Sequence, residues 1–116
     1  MEPTLLVVEA DLLGLARVEA AAAQAGRTVR SVTLERLFET LEHHETSLVV
    51  VDLDRGRGEA LDGLDRAKAA GILRARVVAY VSHVDEKLGA EARSRGYETW
   101  PRGRFWRSLE ALFRSL

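Results

Sequence analysis

A short apolar run that ends in one carboxylate constrains the fold of this chain more than any other feature. Residues 47–53 read Ser-Leu-Val-Val-Val-Asp-Leu, so four apolar residues lead directly to Asp52. A bounded apolar run of this kind is typical of a strand that is buried on both faces at the centre of a parallel sheet. Functional sites of open α/β sheets lie outside the carboxyl ends of the strands, where Asp52 would stand. The alternative is that Asp52 only caps a loop.

Further strand-like runs alternate with segments of helical periodicity. The additional strands are predicted at residues 4–9, 27–32, 76–82 and 97–101, and the helices at residues 12–25, 34–43, 60–70, 84–95 and 105–116. Asp11 and Thr33 are placed as N-caps of the first two helices, and residues 54–59 are predicted to form a loop. Five strands alternating with five helices indicate a doubly wound α/β fold, a (βα)5 parallel sheet with helices on both faces.

The composition excludes several classes of function. The 116 residues suffice for one domain and include no cysteine, which rules out disulfides and cysteine-ligated metals. The 17 basic and 18 acidic residues nearly balance, so no overall field favours nucleic acid or an anionic membrane. Residues 1–4 lack the character of a signal peptide, and no apolar run approaches 18 residues. The chain is therefore predicted to be cytoplasmic and to make no membrane contact.

Three predicted loops lie at the carboxyl edge of the sheet, after Glu9, Asp52 and Ser82. If the chain reverses direction after its first strand-helix unit, the first and third strands are neighbours, and Glu9 and Asp52 converge. Two carboxylates can hold a hard cation such as Mg²⁺, and the backbone carbonyl of Asp54 would add an oxygen ligand. A carboxylate beside Mg²⁺ is a plausible nucleophile toward a phosphoryl group.

Taken together, three segments resemble the receiver domain of response regulators, a CheY-like member of the flavodoxin-like folds. They are residues 5–11 (Leu-Leu-Val-Val-Glu-Ala-Asp), 48–53 (Leu-Val-Val-Val-Asp-Leu) and 77–86, and the resemblance covers essentially the whole chain. It implies that Asp52 is the residue that accepts a phosphoryl group from a histidine kinase. It also implies an acidic pair after the first strand that helps to hold Mg²⁺, a Thr or Ser that ends the fourth strand, and a Lys after the fifth.

The acidic pair of the family is incomplete here. Glu9 matches its first member, but Ala10 stands at the second, and the loss of a carboxylate should weaken Mg²⁺ binding. Asp11 is next in sequence, but an N-cap role is expected for it.

Two further positions depart from the family or are ambiguous. Ser82 supplies the hydroxyl if the fourth strand runs to its last residue, whereas a shift by one residue would put Val81 there. No lysine lies near the fifth strand; Arg102 is the best charged counterpart, although matching on the proline would place Trp100 there instead. The planar guanidinium of arginine does not substitute for a compact ammonium in a tight site.

The resemblance also implies a partner-binding face made by the fourth helix, fifth strand and fifth helix. Tyr97, Trp100 and Trp106 lie in this region and are candidate interface residues, while Phe105 is expected in the core. The phase of the last helix places Trp106 closest to solvent. This face is also the candidate surface for a homodimer.

The leading hypothesis is a degenerate receiver without an output domain that works as a protein-interaction or regulatory module in signalling. Its partner would be a histidine kinase or a downstream target, and it would have no enzymatic activity beyond phosphorylation and dephosphorylation at Asp52. The second hypothesis is a working phosphoacceptor, with Asp52 as nucleophile, Glu9 and the Asp54 carbonyl on Mg²⁺, and Ser82 and Arg102 on the phosphoryl oxygens. A third is a small-molecule-binding regulatory domain that uses the same crevice.

Overall fold

The computed structural model describes residues 3–116, which form a five-stranded sheet and five helices. The strands are β1 (Thr4–Val8), β2 (Val29–Val32), β3 (Thr46–Asp52), β4 (Arg76–Val81) and β5 (Glu98–Pro101). The helices are α1 (Leu12–Gln24), α2 (Leu34–His43), α3 (Leu53–Ala69), α4 (Glu86–Ser94) and α5 (Arg102–Arg114). This order confirms the predicted (βα)5 arrangement. Met1 and Glu2, which belong to the segment considered for a signal peptide, lie outside the described residues.

The sheet has the strand order β2-β1-β3-β4-β5, and every pair of neighbouring strands is parallel. The order reverses after the first strand-helix unit, so β1 and β3 are neighbours, as predicted. The carboxyl ends of β1, β3 and β4 therefore meet at one edge of the sheet, on either side of the point where the order reverses.

The two faces of the sheet bury alternate residues of the same strands. Leu5, Val7, Leu48 and Val50 pack against α1 and α5, whose inward residues include Val18 and Phe105. Leu6, Val8, Val49 and Val51 pack on the other face with α2, α3 and α4. Because both faces are covered, the strands need continuous apolar runs, which is why residues 48–51 carry no polar side chain.

The connection after β3 differs from the prediction. Residues 54–59, predicted as a loop, belong to α3, which begins immediately after Asp52. The Asp52 side chain accepts a hydrogen bond from the backbone N–H of Arg55 and caps this first turn. The helix is interrupted at Arg57, whose φ of 50° and ψ of −145° lie outside the helical region. The glycine- and arginine-rich composition of the segment had suggested a loop, but the cap at Asp52 and the buried Leu53 favour helix.

No helix within residues 3–116 has both the length and the apolar character needed to cross a membrane.

Candidate functional site

A row of three side chains crosses the carboxyl end of the sheet. Asp52 on β3 lies opposite Tyr80 on β4, and Tyr80 lies opposite Trp100 on β5. Residues that are paired across parallel strands place their side chains on the same face. The row therefore lies on the face of the sheet that α1 and α5 cover, with Phe105 of α5 stacked on the Tyr80 ring at a centroid distance of 4.3 Å.

Asp52 is buried, with only 1% of its surface exposed. Its Oδ1 accepts the hydrogen bond from the Arg55 backbone N–H at 3.2 Å, whereas its Oδ2 has no hydrogen-bond partner. Burial raises the pKa of Asp52, and the Arg55 N–H, the charge of Arg102 and the nearby Tyr80 hydroxyl only partly offset this effect. The Tyr80 hydroxyl is itself buried and makes no hydrogen bond of ordinary geometry. The Tyr80 hydroxyl therefore lies close to the Asp52 carboxylate below the edge of the sheet.

The cation of the site is Arg102, the first residue of α5. Its Nη1 donates to Asp54 Oδ2 at 2.6 Å and lies 4.0 Å from Asp52 Oδ1. Burial by itself lowers the pKa of Arg102, but the hydrogen bond to Asp54 and the charge of Asp52 outweigh it and raise that pKa. The structure therefore brings together three of the residues that the sequence selected.

Glu9, the predicted partner of Asp52, has a different role. Strict alternation along β1 would place Glu9 on the same face as Val7, but the backbone leaves the extended conformation there, with a φ of 61°. Its carboxylate accepts a hydrogen bond from the backbone N–H of Leu34 at 3.0 Å. Glu9 thus caps α2 from a neighbouring loop. Thr33, predicted as that cap, makes no side-chain hydrogen bond to the helix.

Removing the Glu9 carboxylate is expected to destabilise the start of α2. Glu9→Ala should lower the free energy of unfolding by about 1 kcal/mol, the usual cost of losing an N-cap acceptor. Glu9→Gln keeps a side-chain oxygen at the same reach and should cost less than half as much. Urea unfolding of the two variants measures the difference, and equal stability of Glu9→Ala and the wild type would contradict the capping role.

Ser82 lies one residue beyond β4, which ends at Val81. The Val81 side chain packs into the core on the face that α2, α3 and α4 cover, opposite to the row of Asp52. The backbone N–H of Ser82 donates to Asp54 Oδ1 at 2.9 Å, and the Ser82 hydroxyl accepts a long hydrogen bond of 3.5 Å from Val84. Both oxygens of Asp54 are consequently engaged, one by Ser82 and the other by Arg102.

The position beside Tyr80 on β5 is filled by Trp100. Its side chain is largely buried, and the indole N–H donates to Glu98 Oε2 at 3.0 Å. Trp100 brings no charge toward Asp52. Arg102, two residues further on, supplies the positive charge from the start of α5.

Two of the three candidate interface residues are part of the core. Tyr97 is 5% exposed and donates from its hydroxyl to Asp65 of α3 at 2.5 Å, and Trp100 is 8% exposed. This corrects the expectation that these side chains form a contact face, because both are needed to fill the space between the sheet and its helices. Trp106 remains partly exposed, with the guanidinium of Arg17 4.2 Å from its ring centroid. A contact between Trp106 and a partner stays a prediction.

The acidic residues selected for Mg²⁺ do not fit a metal centre in this arrangement. Glu9 caps α2, the Asp54 carboxylate is engaged by Ser82 and Arg102, and Ala10 offers no ligand, while the backbone carbonyl of Asp54, the predicted ligand, takes no part in these contacts. Within residues 3–116, no three histidine or carboxylate side chains converge in a way that could hold a metal ion. His43 and His44 do not form such a group either, and His44 contacts Arg30 at 2.9 Å.

Three residues of the site were not selected from the sequence. Arg55 donates from Nε to the carbonyl of Glu9 at 2.9 Å, and Arg57 pairs with Asp85 at 3.0 Å, so both tie neighbouring loops together. Tyr80 covers Asp52. The sequence carries a signal for Tyr80, since it places a hydroxyl within the otherwise apolar residues 77–81.

Comparisons with known proteins agree with this fold. No family model matches the sequence, and no curated protein matches it either. Among solved structures, a response regulator from Thermotoga maritima aligns over 100% of both chains, with a TM-score of 0.78 and 20% identity. A CheY-like response regulator receiver domain protein from Methanospirillum hungatei covers 99% of this chain and 93% of its own, with a TM-score of 0.76 and 15% identity. A CheY-like protein from Pseudomonas aeruginosa gives a TM-score of 0.67 and 22% identity over 99% of this chain and 93% of its own. At these identities, the comparisons establish the fold.

Proposed function

We propose that this chain is a receiver-like module of signal transduction that acts through protein contacts rather than through phosphorylation. The receiver-type fold supports the signalling role. The observation that supports independence from phosphorylation is the burial of Asp52, which is 1% exposed. A carboxylate nucleophile must approach phosphorus with its attacking oxygen in reach of the donor, and here the carboxylate is buried, with Arg102 Nη1 4.0 Å from its Oδ1.

The electrostatics of the site support the same proposal. Burial raises the pKa of Asp52, which disfavours the ionised form that a nucleophilic carboxylate requires. The acids that would bring Mg²⁺ to a phosphoryl group are dispersed, since Glu9 caps α2 and Asp54 is paired with Arg102. Asp52 therefore works as the cap of α3 and the centre of a polar cluster that sets the shape of this edge.

The decisive measurement is the intact mass after incubation with Mg²⁺ and a small phosphodonor such as acetyl phosphate. We expect no gain of a phosphoryl group at times when a phosphorylatable receiver domain, run in parallel, is modified. Asp52→Asn is the matched control. A stable gain of one phosphoryl group in the wild type that is lost in Asp52→Asn would establish the phosphoacceptor function instead.

The phosphoacceptor function is the second candidate, because Arg102 and Ser82 both lie at the edge where Asp52 ends its strand. The small-molecule alternative has less support. Two surface cavities of about 500 and 480 Å³ lie along α2 and its flanking strands, and Asp52 lines neither of them.

A further inference from the structure

A cavity of about 500 Å³ lies between β2 and α2, and Asp52 does not line it. β2 is an edge strand of the sheet. Its residue Arg30 is paired with Leu6 of β1, and Leu6 packs on the face of the sheet that α2 covers. Residues paired across parallel strands place their side chains on the same face, so Arg30 lines the cavity from the strand side.

The other side of the cavity is one face of α2. Arg36, Thr40 and His43 line it at a spacing of four and then three residues, which places their side chains on the same side of a helix. The residue after α2, His44, also lines the cavity, and its Nε2 accepts a hydrogen bond of 2.9 Å from Arg30 Nη1. Two arginines and two histidines therefore converge on this cavity.

The two arginines bring charge that the protein does not neutralise. None of the ion pairs formed among residues 3–116 includes Arg30 or Arg36. Arg30 contacts His44 through Nη1 alone, and the imidazole nitrogen that accepts this bond offers no negative charge. The N–H groups on Nε and Nη2 of Arg30 are left for a ligand, and two such groups of one guanidinium can bind a phosphate or carboxylate together.

We propose that this cavity binds a small organic molecule that carries two phosphate groups, such as a sugar bisphosphate. Its volume lies within the range of about 300–1,000 Å³ that is usual for small-molecule sites and exceeds what one phosphate needs. Arg30 and Arg36 line it from the strand and the helix, so each can bind one anionic group. A phosphate group carries more charge than a carboxylate and gains more from these guanidiniums. The Thr33 hydroxyl, which makes no hydrogen bond to α2, can bind a hydroxyl of the ligand.

Acidic residues near the arginines restrict the ligand to a compact molecule. Glu39 lines the cavity itself, and Glu35 is exposed on the same helix. The adjoining cavity at the end of α2 is lined by Glu42 and Glu45 as well as Arg74, so the positive surface does not continue on that side. A long polyanion such as a nucleic acid would meet these carboxylates, whereas a bisphosphate held between the arginines would meet Glu39 alone.

The test is an NMR titration of the whole isotope-labelled chain at low salt and without divalent ions. The probes, used separately, are fructose 1,6-bisphosphate, pyrophosphate and inorganic phosphate. The sugar bisphosphate should bind saturably and about tenfold or more tightly than inorganic phosphate, because its second phosphate adds charge-assisted hydrogen bonds. The amide signals that shift should belong to residues 30–44.

Charge variants at exposed positions test the site without disturbing the core. Arg30→Gln and Arg36→Gln should each weaken binding of the sugar bisphosphate about tenfold, because each removes charge-assisted hydrogen bonds. Glu39→Gln should strengthen binding about twofold or more, since it removes the carboxylate that repels the ligand. Arg107→Gln removes an exposed arginine of α5 and should leave the affinity unchanged. A loss in two variants together with a gain in a third cannot come from unfolding.

Three outcomes would overturn the proposal. The absence of saturable binding with all three probes would show that the cavity is not an anion site. An equal loss of affinity in Arg107→Gln and Arg30→Gln, or no loss in either cavity variant, would show that the general surface charge attracts the probes. Inorganic phosphate that binds as tightly as the sugar bisphosphate would contradict a ligand with two phosphate groups. None of these results depends on phosphorylation of Asp52, so they leave the test of the proposed function separate.

Discussion

Phe105→Ala is expected to lower the free energy of unfolding by about 3–5 kcal/mol, the usual cost of truncating a buried phenylalanine. Phe105 is fully buried and stacks on Tyr80 at a centroid distance of 4.3 Å, with Trp106 at 5.0 Å and Trp100 at 6.2 Å. Its removal leaves a cavity between α5 and the sheet that these rigid rings cannot fill. Since a domain of this size is typically stable by about 5–15 kcal/mol, the variant should fold but unfold at a much lower urea concentration.

Phe105→Leu is the matched control, because it retains most of the apolar volume and should cost no more than half as much. Trp100 and Trp106 flank the substituted position, so their fluorescence should shift to longer wavelength in Phe105→Ala, as water reaches the cluster. A loss below 1 kcal/mol for the alanine variant would show that the aromatic cluster does not hold α5 on the sheet. It would also show that this cluster does not position Arg102.

The order of the strands and helices was predictable from periodicity, because a sheet covered on both faces requires runs such as residues 48–51. The start of α3 was not predictable in this way. Residues 54–59 have a composition typical of loops, but the cap that Asp52 provides to the Arg55 N–H and the buried Leu53 start a helix there, which is interrupted at Arg57. This cap is local, since it spans three residues, but the glycines and arginines that follow Asp52 conceal it when the segment is judged by composition.

Most residues of the candidate site could be selected from the sequence, but the contacts between them could not be predicted. Asp52, Asp54, Ser82 and Arg102 were selected from the sequence, and the structure places them at one edge of the sheet. Glu9 was assigned to the same cluster because the first and third strands were expected to be neighbours, but the backbone turns at Glu9, with a φ of 61°, and its carboxylate caps α2. A positive φ in a residue other than glycine leaves no mark in the sequence.

Asp52→Asn is expected to stabilise the protein at neutral pH by about 0.5–2 kcal/mol, the range found when one unfavourable feature is relieved. Burial opposes the ionised carboxylate, and an amide carries no charge that must be removed from water. Asparagine caps helices as well as aspartate does, so the contact with the Arg55 N–H is retained. The new side-chain N–H would also lie beside the Tyr80 hydroxyl, where it can satisfy an oxygen that now has no partner.

Asp54→Asn is the matched control, since the same chemical change there should destabilise the protein. Asp54 forms a direct 2.6 Å ion pair with Arg102, whereas Asp52 lies 4.0 Å from it. Opposite signs for the two substitutions in thermal unfolding would show that burial dominates at Asp52 and pairing dominates at Asp54. A loss of stability in both variants at pH 7 would mean that the attraction of Arg102 outweighs the burial of Asp52.

The advantage of Asp52→Asn should depend on pH in a direction fixed by the pKa of the carboxyl. Because the pKa of Asp52 is raised in the folded state above its ordinary value of 3.8, folding favours the protonated acid. This contribution is fully present below the unfolded pKa and is lost as the pH rises through the folded one. The two proteins should therefore be closest in stability below pH 3.8, and their stabilities should diverge as the pH rises toward the raised pKa and differ by a constant amount above it. Urea unfolding at a series of pH values measures this difference, and a gap that narrows as the pH rises would show that the folded protein prefers the ionised carboxylate.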